Sequence, residues 1–379
     1  MAAMEKNNKT LNVPNLRFPE FSGEWDVMEL QDIAPNICSG RDKPSHNGKV
    51  ILYGSTGVIG MTESASYLDE LILVARVGAN AGQLQVANSP CGVTDNALVI
   101  NAHEWNAYIY YYLQYYNLNR LVFGSGQPLI TGGMLKKIKI KSGKNVERLK
   151  ITHLLSLLDQ RIETQKKVIE DLKKLKDAIS KSLFSRYDLL EAKMQISQIG
   201  SLKNGYAFQS SSYDSSGEYE IITIANVAGE RHICTEGCNR IHTLPSDLQP
   251  HQELKDGDIL ISLTGNVGRV SLCKEGKYLL NQRVGLLQLK AGVNREFVYQ
   301  ALSSRKFELN MISCGQGAAQ MNIGKGDIES YEIPYSNNPQ NLQSVSLILM
   351  SYDKLVLTES TRLQLLLNQK QYIISNMFI

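Results

Sequence analysis

Two long stretches of the chain carry apolar residues at alternating steps of three and four positions. The first stretch covers residues 145–184, contains no proline or glycine, and is rich in Lys, Glu, Leu and Ile, which favour helix. Steps of three and four are the a/d pattern of a coiled-coil seam. A straight helix of this length extends about 60 Å at 1.5 Å per residue. We therefore expect a rod that spaces or assembles other parts.

The second stretch repeats the first at an offset of 194 residues, with apolar residues at seven of the nine seam positions in both copies. The offset also matches polar and terminal residues: Gln165 with Glu359, Lys176 with Lys370, Asp159 with Asp353, Thr164 with Thr358 and Phe184 with Phe378. This pattern indicates internal duplication, and we expect the two helices to pair antiparallel if a pseudo-two-fold axis relates the halves. The predicted apolar helix–helix seam consists of Leu155, Leu158, Ile162, Ile169, Leu172, Ile179, Leu183, Leu349, Tyr352, Val356, Leu363, Leu366, Ile373 and Met377.

The regions before each long stretch contain short β-like runs separated by glycine turns. Predicted strands lie at 71–77, 97–100, 136–140, 220–227, 257–265, 284–289 and 329–334, and a Tyr-rich helix is predicted at 103–120. Residues 69–82 resemble 256–268, and 123–140 resemble 314–333. The fold class is α+β, with two mixed α/β globular domains separated by two long helices. The expected parts are a disordered lead (1–22), a first domain (23–144), a central helix (145–190), a second domain (191–336) and a C-terminal helix (337–379).

Composition excludes few classes of function. The 379 residues suffice for two or three domains, and 40 basic against 37 acidic residues give a net charge of +3, which permits a polyanionic partner. No membrane span or secretory signal is predicted, and the six scattered cysteines suit a reduced cytoplasmic protein. His232, Cys234, Cys238 and His242 are too tightly spaced for the usual zinc site, so no metal is expected. The chain lacks the sequence motifs of an amino-methyltransferase, a P-loop, a nucleophile elbow or a nuclease, so no catalytic residue is predicted.

Several segments together resemble a known family. They are FPEFSGEW (18–25), YGSTGVIG (53–60), the paired DELIL and DGDIL strands, and the Gly-x-Gly segments before each long helix. In this order the chain resembles the specificity subunit of a type I restriction–modification enzyme. FPEFSGEW has no clear copy before the second domain, where the chain reads SRYDLLEAKMQ (185–195), so the start of that domain stays open.

The resemblance implies a non-catalytic, cytoplasmic protein. Each globular domain would be a target recognition domain that reads one half of a bipartite site in double-stranded DNA. The helices would pack antiparallel, set the spacer between half-sites and dock two methyltransferase subunits, which restriction subunits would join. S-adenosylmethionine, ATP and Mg²⁺ would be bound by these partners, and this chain would need no cofactor.

Reading DNA requires phosphate anchors and base-edge readers, for which Arg, Lys, Asn and Gln are suited. The candidate DNA contacts are Arg76, Asn80, Gln83, Ser125, Gln127, Lys136, Lys137, Asn266, Arg269, Gln282, Arg283, Gln316, Gln320, Asn322 and Lys325. Each Gly-Asn pair has the alternative interpretation of a simple β-turn, and the lysines that of a solvated strand edge. The tyrosines between 108 and 116 could stack on bases, but packing within the domain is the favoured interpretation. A scaffold whose heads bind protein or another ligand is the alternative function.

Overall fold

The computed structural model describes residues 12–122, 128–315 and 321–379. Its contacts divide the chain into two units. Unit 1 comprises Met1–Gln165 with Arg362–Ile379, and unit 2 comprises Lys166–Thr361. Two long helices begin in one unit and end in the other.

Among its described residues, unit 1 contains nine strands, three helices of its own, the first part of one long helix and the last part of a second. The strands are β1 (Asp26–Glu29), β2 (Cys38–Ser39), β3 (Val50–Tyr53), β4 (Val58–Thr62), β5 (Leu71–Ala75), β6 (Leu84–Ala87), β7 (Cys91–Val93), β8 (Ala97–Ile100) and β9 (Lys139–Ser142). The helices are α1 (Leu30–Ile33), α2 (Asn106–Tyr116), α3 (Gly132–Lys136) and the first part of α4 (Asn145–Phe184). Short 3-10 turns cover His103–Trp105 and Leu118–Leu121. We call residues 26–142 the first head.

In the part of unit 2 that the structure describes there are ten strands. They are β10 (Ala192–Gln195), β11 (Gly200–Asn204), β12 (Tyr219–Ile222), β13 (Asn239–Ile241), β14 (Glu253–Leu254), β15 (Ile259–Ser262), β16 (Val270–Leu272), β17 (Tyr278–Leu280), β18 (Val284–Leu289) and β19 (Glu332–Tyr335). The helices are α5 (Ile196–Ile199), α6 (Arg295–Leu302), α7 (Arg305–Cys314), α8 (Lys325–Glu329) and α9 (Pro339–Met377), and 3-10 turns cover Ser210–Ser212 and Pro250–Gln252. We call residues 192–335 the second head.

The two heads have the same sheet topology. A four-stranded antiparallel sheet runs β2-β8-β5-β6 in the first head and β11-β18-β15-β16 in the second. A smaller sheet contains the parallel pair β3–β7 in the first and β12–β17 in the second, where β14 adds a fourth strand. A two-stranded antiparallel ribbon, β1–β9 or β10–β19, closes each head. The repeat seen in the sequence is therefore a repeat of fold.

The central strands of the larger sheets are buried on both faces. In β5, Ile72 and Val74 join the core that contains α2, while Leu71 and Leu73 join a second core against the smaller sheet. Because successive side chains on a strand point to opposite faces, a strand with a core on each side needs an unbroken apolar run. This explains LILVA in the first head and ILIS in the second, where all four residues of β15 are buried.

The Tyr-rich helix packs inside the first head. Tyr108, Tyr111 and Tyr112 are buried. The Tyr108 hydroxyl donates to the Lys141 carbonyl (2.6 Å), and the Tyr112 hydroxyl donates to the Lys139 carbonyl (3.0 Å). Burial and these bonds to β9 confirm the packing interpretation for these tyrosines.

Two of these expectations need correction. The predicted strand 136–140 is divided, because Lys136 ends helix α3 and β9 starts at Lys139. The Thr131 hydroxyl accepts a hydrogen bond from the Met134 amide (3.3 Å), and this N-cap starts the helical turn. The lead is ordered over 12–22, where the Leu16 amide donates to the Asn376 carbonyl (2.9 Å).

The start of the second head, which the sequence left open, is marked by a repeated strand and helix. β10 and α5 repeat β1 and α1, so WDVMELQDI (25–33) corresponds to EAKMQISQI (191–199). Both strands pair with the last strand of their head, and both short helices start with a capping box. Only the Met and the final Ile are identical in the two strings, which is why the copy was not evident from the sequence.

Helices α4 and α9 contact each other within each unit. In unit 1, Asp159 pairs with Lys370 (Oδ1–Nζ 2.6 Å), and Leu155 shares a core with Met377. In unit 2, Lys176 pairs with Asp353 (Nζ–Oδ1 2.5 Å), and Leu183 shares a core with Leu349. Later positions of one helix meet earlier positions of the other, so the segments run in opposite directions within each unit.

Every predicted apolar seam position is buried or half-buried. Leu155, Leu158, Ile162, Leu183, Leu349, Leu366, Ile373 and Met377 are buried, and Ile169, Leu172, Ile179, Tyr352, Val356 and Leu363 are half-buried. α9 begins at Pro339, and the Gln340 amide donates to the side-chain oxygen of Asn338 (3.0 Å). α4 and α9 are long enough to span a bilayer, but neither they nor any other helix in the described ranges is apolar enough to do so.

Candidate nucleic-acid interface

In the first head, the turn after β5 meets two other segments. The Arg76 amide donates to the Asn96 carbonyl (3.0 Å), and the Ile130 amide donates to the Arg76 carbonyl (2.9 Å). The Gly78 amide donates to the Pro128 carbonyl (3.1 Å), and Gly78 has a φ of +78°, which favours glycine. The backbone therefore gathers residues 76–80, 95–97 and 128–130 where strand β5 ends and its neighbour β8 begins.

The second head makes the same junction. The Leu263 amide donates to the Arg283 carbonyl (3.1 Å), and the Ile323 amide donates to the Leu263 carbonyl (2.9 Å). The Gly265 amide donates to the Met321 carbonyl (3.1 Å), with Gly265 at a φ of +69°. The segments carrying Asn266, Arg283 and Asn322, which are far apart in sequence, thus become neighbours.

Most of the described candidates at these junctions expose their side chains. The exposed ones are Asn80, Gln83, Asn266, Gln282, Arg283, Asn322 and Lys325. Arg76 is half-buried, and its buried Nε finds no hydrogen-bond partner among the described residues. Ser125, Gln127, Gln316 and Gln320 lie outside the described residues. The structure thus brings together part of the predicted set in each head.

A shallow cavity of about 340 Å³ lies beside Asn80 and Gln83. Its wall also contains Gln114, Asn117 and Asn119, so five side-chain amides line one surface. Asn117 adopts a left-handed conformation (φ 56°), and its side-chain oxygen accepts the Asn119 amide (3.2 Å). Side-chain amides can bond adenine edges in bidentate fashion, which suits this surface to reading A·T pairs.

The second head carries arginines where the first carries amides. Arg269 and Arg305 line a cavity of about 290 Å³ together with Ser303 and Ser304. Glu308 lies 3.7 Å from Arg269 Nε and also pairs with Arg305. The carboxylate offsets part of this positive charge, so Arg283, which is exposed and lies on the junction itself, is the better placed of the predicted arginines.

The lysines before α4 do not form one cluster. Lys136 is half-buried at the end of α3, and Lys137 is exposed just after it. Lys139 and Lys141 lie on β9, paired with Glu29 and Val27 of β1. This two-stranded ribbon has open edges, and lysine is a common residue on such edges.

Sequence reasoning missed a loop in each head. The loop after β2 approaches the junction because the Gly40 amide donates to the Ala97 carbonyl (3.1 Å), and Arg41 follows with an exposed side chain. In the second head the Gln282 amide donates to the Tyr206 carbonyl (2.9 Å). A Cβ on Gly40 would lie 2.1 Å from the Val93 carbonyl oxygen.

Gly205 occupies the matching position in the second head. A Cβ there would lie 2.2 Å from the Asn281 carbonyl oxygen. The repeated glycine was the one signal for this loop, and it stands before residues of different type, Arg41-Asp42 in one copy and Tyr206-Ala207 in the other.

The Cys/His cluster does not assemble. Cys238 accepts a hydrogen bond from the Asn226 side-chain amide (Nδ2–Sγ 3.1 Å), while His242 lies 3.4 Å from Asp214. Burial raises the pKa of the Cys238 thiol to about 11, which keeps it protonated near neutral pH. Within residues 12–122, 128–315 and 321–379, no group of three or more His, Cys, Asp or Glu could hold a metal ion.

Comparisons with known proteins place these observations in a family. The model of the type I restriction modification DNA specificity domain matches residues 22–174 and again 191–368. The type I restriction enzyme MjaVIII specificity subunit of Methanocaldococcus jannaschii is 26% identical over 293 residues, covering 69% of this chain and 68% of that protein. The putative MjaX specificity subunit of the same organism is 28% identical over 227 residues, 55% of this chain and 51% of its own length.

A solved structure has the same fold. The S subunit of a type I restriction–modification system from M. genitalium superposes with a TM-score of 0.61 at 17% identity, over 97% of this chain and 99% of that one. The two family-model matches each include one head and part of a long helix. The chain therefore belongs to the family of type I restriction–modification specificity subunits, with two target recognition domains.

Proposed function

We propose that this chain supplies DNA sequence specificity to a type I restriction–modification complex, and that each head reads one half of a bipartite site. The observation that carries the proposal is the repeated junction in the two heads. In both, a glycine turn after the central strand gathers exposed Asn, Gln or Arg side chains from segments far apart in sequence. Glycine turns allow close approach to a groove, and these side chains can read base edges.

The divergence between the two junctions fits an asymmetric site. Amides predominate beside Asn80 in the first head, whereas Arg283 is the exposed candidate base reader in the second. Amides favour adenine and arginine favours guanine, so the two half-sites should differ in sequence. Lys136, Lys137 and Lys325 are proposed phosphate anchors, which hold the head in register without reading sequence.

The helices α4 and α9 are proposed to form an antiparallel coiled coil that sets the unread spacer and docks two methyltransferase subunits. The shielded seam and the ion pairs Asp159–Lys370 and Lys176–Asp353 support the pairing. Docking is supported by apolar side chains that both helices expose away from the seam: Leu149, Leu157, Leu175, Leu347, Leu355, Leu365 and Tyr372. Restriction subunits would join this complex.

This chain itself is proposed to be non-catalytic. Methyl transfer from S-adenosylmethionine and any ATP- and Mg²⁺-dependent step would belong to the partner subunits. The heads would act only by positioning DNA, so binding should weaken steeply with salt in proportion to the number of phosphates contacted.

The test is a methylome. The chain is expressed with its cognate methyltransferase subunit in a host that lacks adenine methylation, and modified positions are mapped by modification-sensitive sequencing. We expect one motif of two short half-sites around an unread gap. Replacing residues 26–142 by the first head of another specificity subunit should change one half-site and leave the other. A formed complex that methylates no bipartite motif would overturn the proposal.

A further inference from the structure

Each head is attached to the long helices through an aspartate on one of them, half-buried at Asp159 and buried at Asp353. In unit 1, the Tyr111 hydroxyl on α2 donates to Asp159 Oδ2 on α4 (2.9 Å). The other oxygen of Asp159 pairs with Lys370 on α9 (2.6 Å). One carboxylate therefore joins the helix of the first head to both long helices.

Unit 2 contains the same device with the long helices exchanged. The Gln300 side-chain amide on α6 donates to Asp353 Oδ2 on α9 (2.7 Å), and Asp353 Oδ1 pairs with Lys176 on α4 (2.5 Å). Asp353 and Lys370 lie 194 residues after Asp159 and Lys176, respectively. The arrangement therefore follows the internal repeat, although the donor from the head is a phenol in one copy and an amide in the other.

A second contact repeats beside the first. Phe378 packs edge-on against Tyr108 of α2, with ring centroids 5.4 Å apart. Phe184 packs edge-on against Phe297 of α6, with centroids 5.8 Å apart. The two phenylalanines are again separated by 194 residues. Each head helix is thus held at two points about one turn apart, which fixes its direction as well as its distance.

The head helices are rigidly coupled to the recognition junctions. In the first head, Asn106 on α2 donates to the Glu70 carbonyl (2.6 Å), directly before β5, and Ile109 shares a core with Ile72. In the second head, Val298 on α6 shares a core with Ile261 of β15. β5 and β15 lead directly into the junction turns, so a tilt of α2 or α6 would move the base-reading side chains.

We propose that Asp159 and Asp353 are positioning residues that fix the angle of each recognition head on the helix segments of its own unit. This rests on the proposed function. Rigid attachment makes the complex intolerant of half-sites at the wrong separation, because a fixed head cannot follow a displaced groove. The aspartates contact no DNA in this scheme, so they govern the spacing of half-sites and not their bases.

The second attachment has additional partners. Arg231, in the segment between β12 and β13, donates from Nη1 to Asp353 Oδ2 (3.0 Å) and makes a bidentate pair with Glu296 (2.8 and 2.7 Å). Gln300 also donates to Glu296 (2.8 Å). These side chains are largely buried, and charge-assisted bidentate bonds are directional. The second head should therefore be held more tightly than the first.

The test compares methylation of DNA duplexes that carry both native half-sites at the native spacing or with one base pair added or removed. The proteins are complexes of the full chain and its methyltransferase partner with wild-type sequence, Asp353→Asn or Tyr111→Phe. Wild type should strongly prefer the native spacing. We expect Asp353→Asn to reduce the ratio of native to altered spacing about fivefold or more, and Tyr111→Phe to reduce it less, with half-site bases unchanged in both.

Asp177→Asn is the matched control, because Asp177 is exposed on α4 and its loss changes charge equally. Failure of wild type to methylate a bipartite site would count against the proposed function. A functional wild type would overturn the positioning role if the variants lowered methylation equally at all spacings, or altered the half-site bases. If Asp353→Asn does not assemble, Tyr111→Phe decides, since it removes one hydroxyl from a helix that retains its other contacts.

Discussion

The two heads share a framework and differ in what they present. The order of strands, the fully buried central strand and the glycine turn after it recur in both units. The exposed side chains on these turns do not recur, with amides around Asn80 and Arg283 in the other copy. Framework positions are constrained by burial and by backbone hydrogen bonds, whereas loop side chains are free to set specificity. Under the proposed function, a duplicated fold of this kind would read two unlike sequences.

The segment leading into each head makes a second contrast. In unit 1, Arg17 forms a bidentate pair with Glu147 on α4 (2.7 and 2.8 Å), and Glu147 is 2% exposed. The position 194 residues later is Asn341 on α9, whose side-chain amide donates to the Leu189 carbonyl (3.0 Å). The same place in the repeat thus anchors its leading segment through a buried charge in one copy and a neutral amide in the other.

The largest expected effect tests this contrast. Arg17→Ala leaves the buried Glu147 carboxylate unpaired and should lower the free energy of unfolding of unit 1 by about 3–5 kcal/mol. Asn341→Ala removes one neutral hydrogen bond in unit 2 and should cost about 1 kcal/mol. Denaturant unfolding of the two variants measures both values. Equal losses would show that the two anchors are energetically alike despite their chemistry.

The next prediction asks whether the shared framework is equally strong in both copies. Leu155 and its repeat mate Leu349 are both 0% exposed. Leu155→Ala and Leu349→Ala each delete a packed side chain and should cost about 2–5 kcal/mol. Leu157→Ala and Leu347→Ala, at exposed positions on the same helices, should stay within about 0.5 kcal/mol. Thermal unfolding of the four variants measures these losses. The prediction is wrong if the two exposed controls lose as much stability as the two buried variants.

A third prediction concerns Glu296, a carboxylate of the second attachment. Burial alone would raise the pKa of Glu296, but hydrogen bonds from Arg231 and Gln300 outweigh it and hold the pKa below its usual value of 4.5. A carboxylate with a depressed folded-state pKa stabilises fully above its unfolded pKa and loses this contribution as pH falls through the folded value.

Glu296→Gln should therefore be less stable than wild type at neutral pH, and the gap should close as pH falls below about 4.5. Thermal unfolding from pH 7 to pH 3 measures it. Glu24→Gln, an exposed change in unit 1, serves as the control. A gap that does not vary with pH would show that Glu296 acts through packing alone.

The smallest effect concerns the starts of the long helices. Asn338 caps α9, whereas the position 194 residues earlier is Lys144, which has no capping oxygen. Asn338→Ala should cost about 1 kcal/mol, and Lys144→Ala should stay within about 0.5 kcal/mol. Denaturant midpoints would contradict the capping role if the two substitutions behaved alike.

The sequence by itself determined the features that depend on local pattern. The run from Asn145 to Phe184 is one helix with those bounds, and strands β8 and β18 have the predicted ends. The heptad pattern can be detected because helix periodicity depends on residues close together in the chain. The repeat can be detected because the second copy keeps the same pattern 194 residues later. The resemblance to the family could also be detected from sequence, because its motifs are short segments in a fixed order.

Only the tertiary structure decided which distant segments meet. Leu263, Arg283 and Ile323 share backbone hydrogen bonds that no local pattern encodes, and the ordered lead depends on Arg17 finding Glu147, 130 residues away. The copy of the entry strand shows only in its pairing with β19. Strand pairing tolerates almost any exposed side chain, so the two copies need not look alike in sequence. In sequence, Asp159 and Asp353 were matched only as members of the repeat, and their proposed role depends on Tyr111 and Gln300 reaching them from the heads. Such contacts join residues that are far apart in sequence and follow no regular spacing. They are therefore determined by the tertiary structure and not by the local sequence pattern.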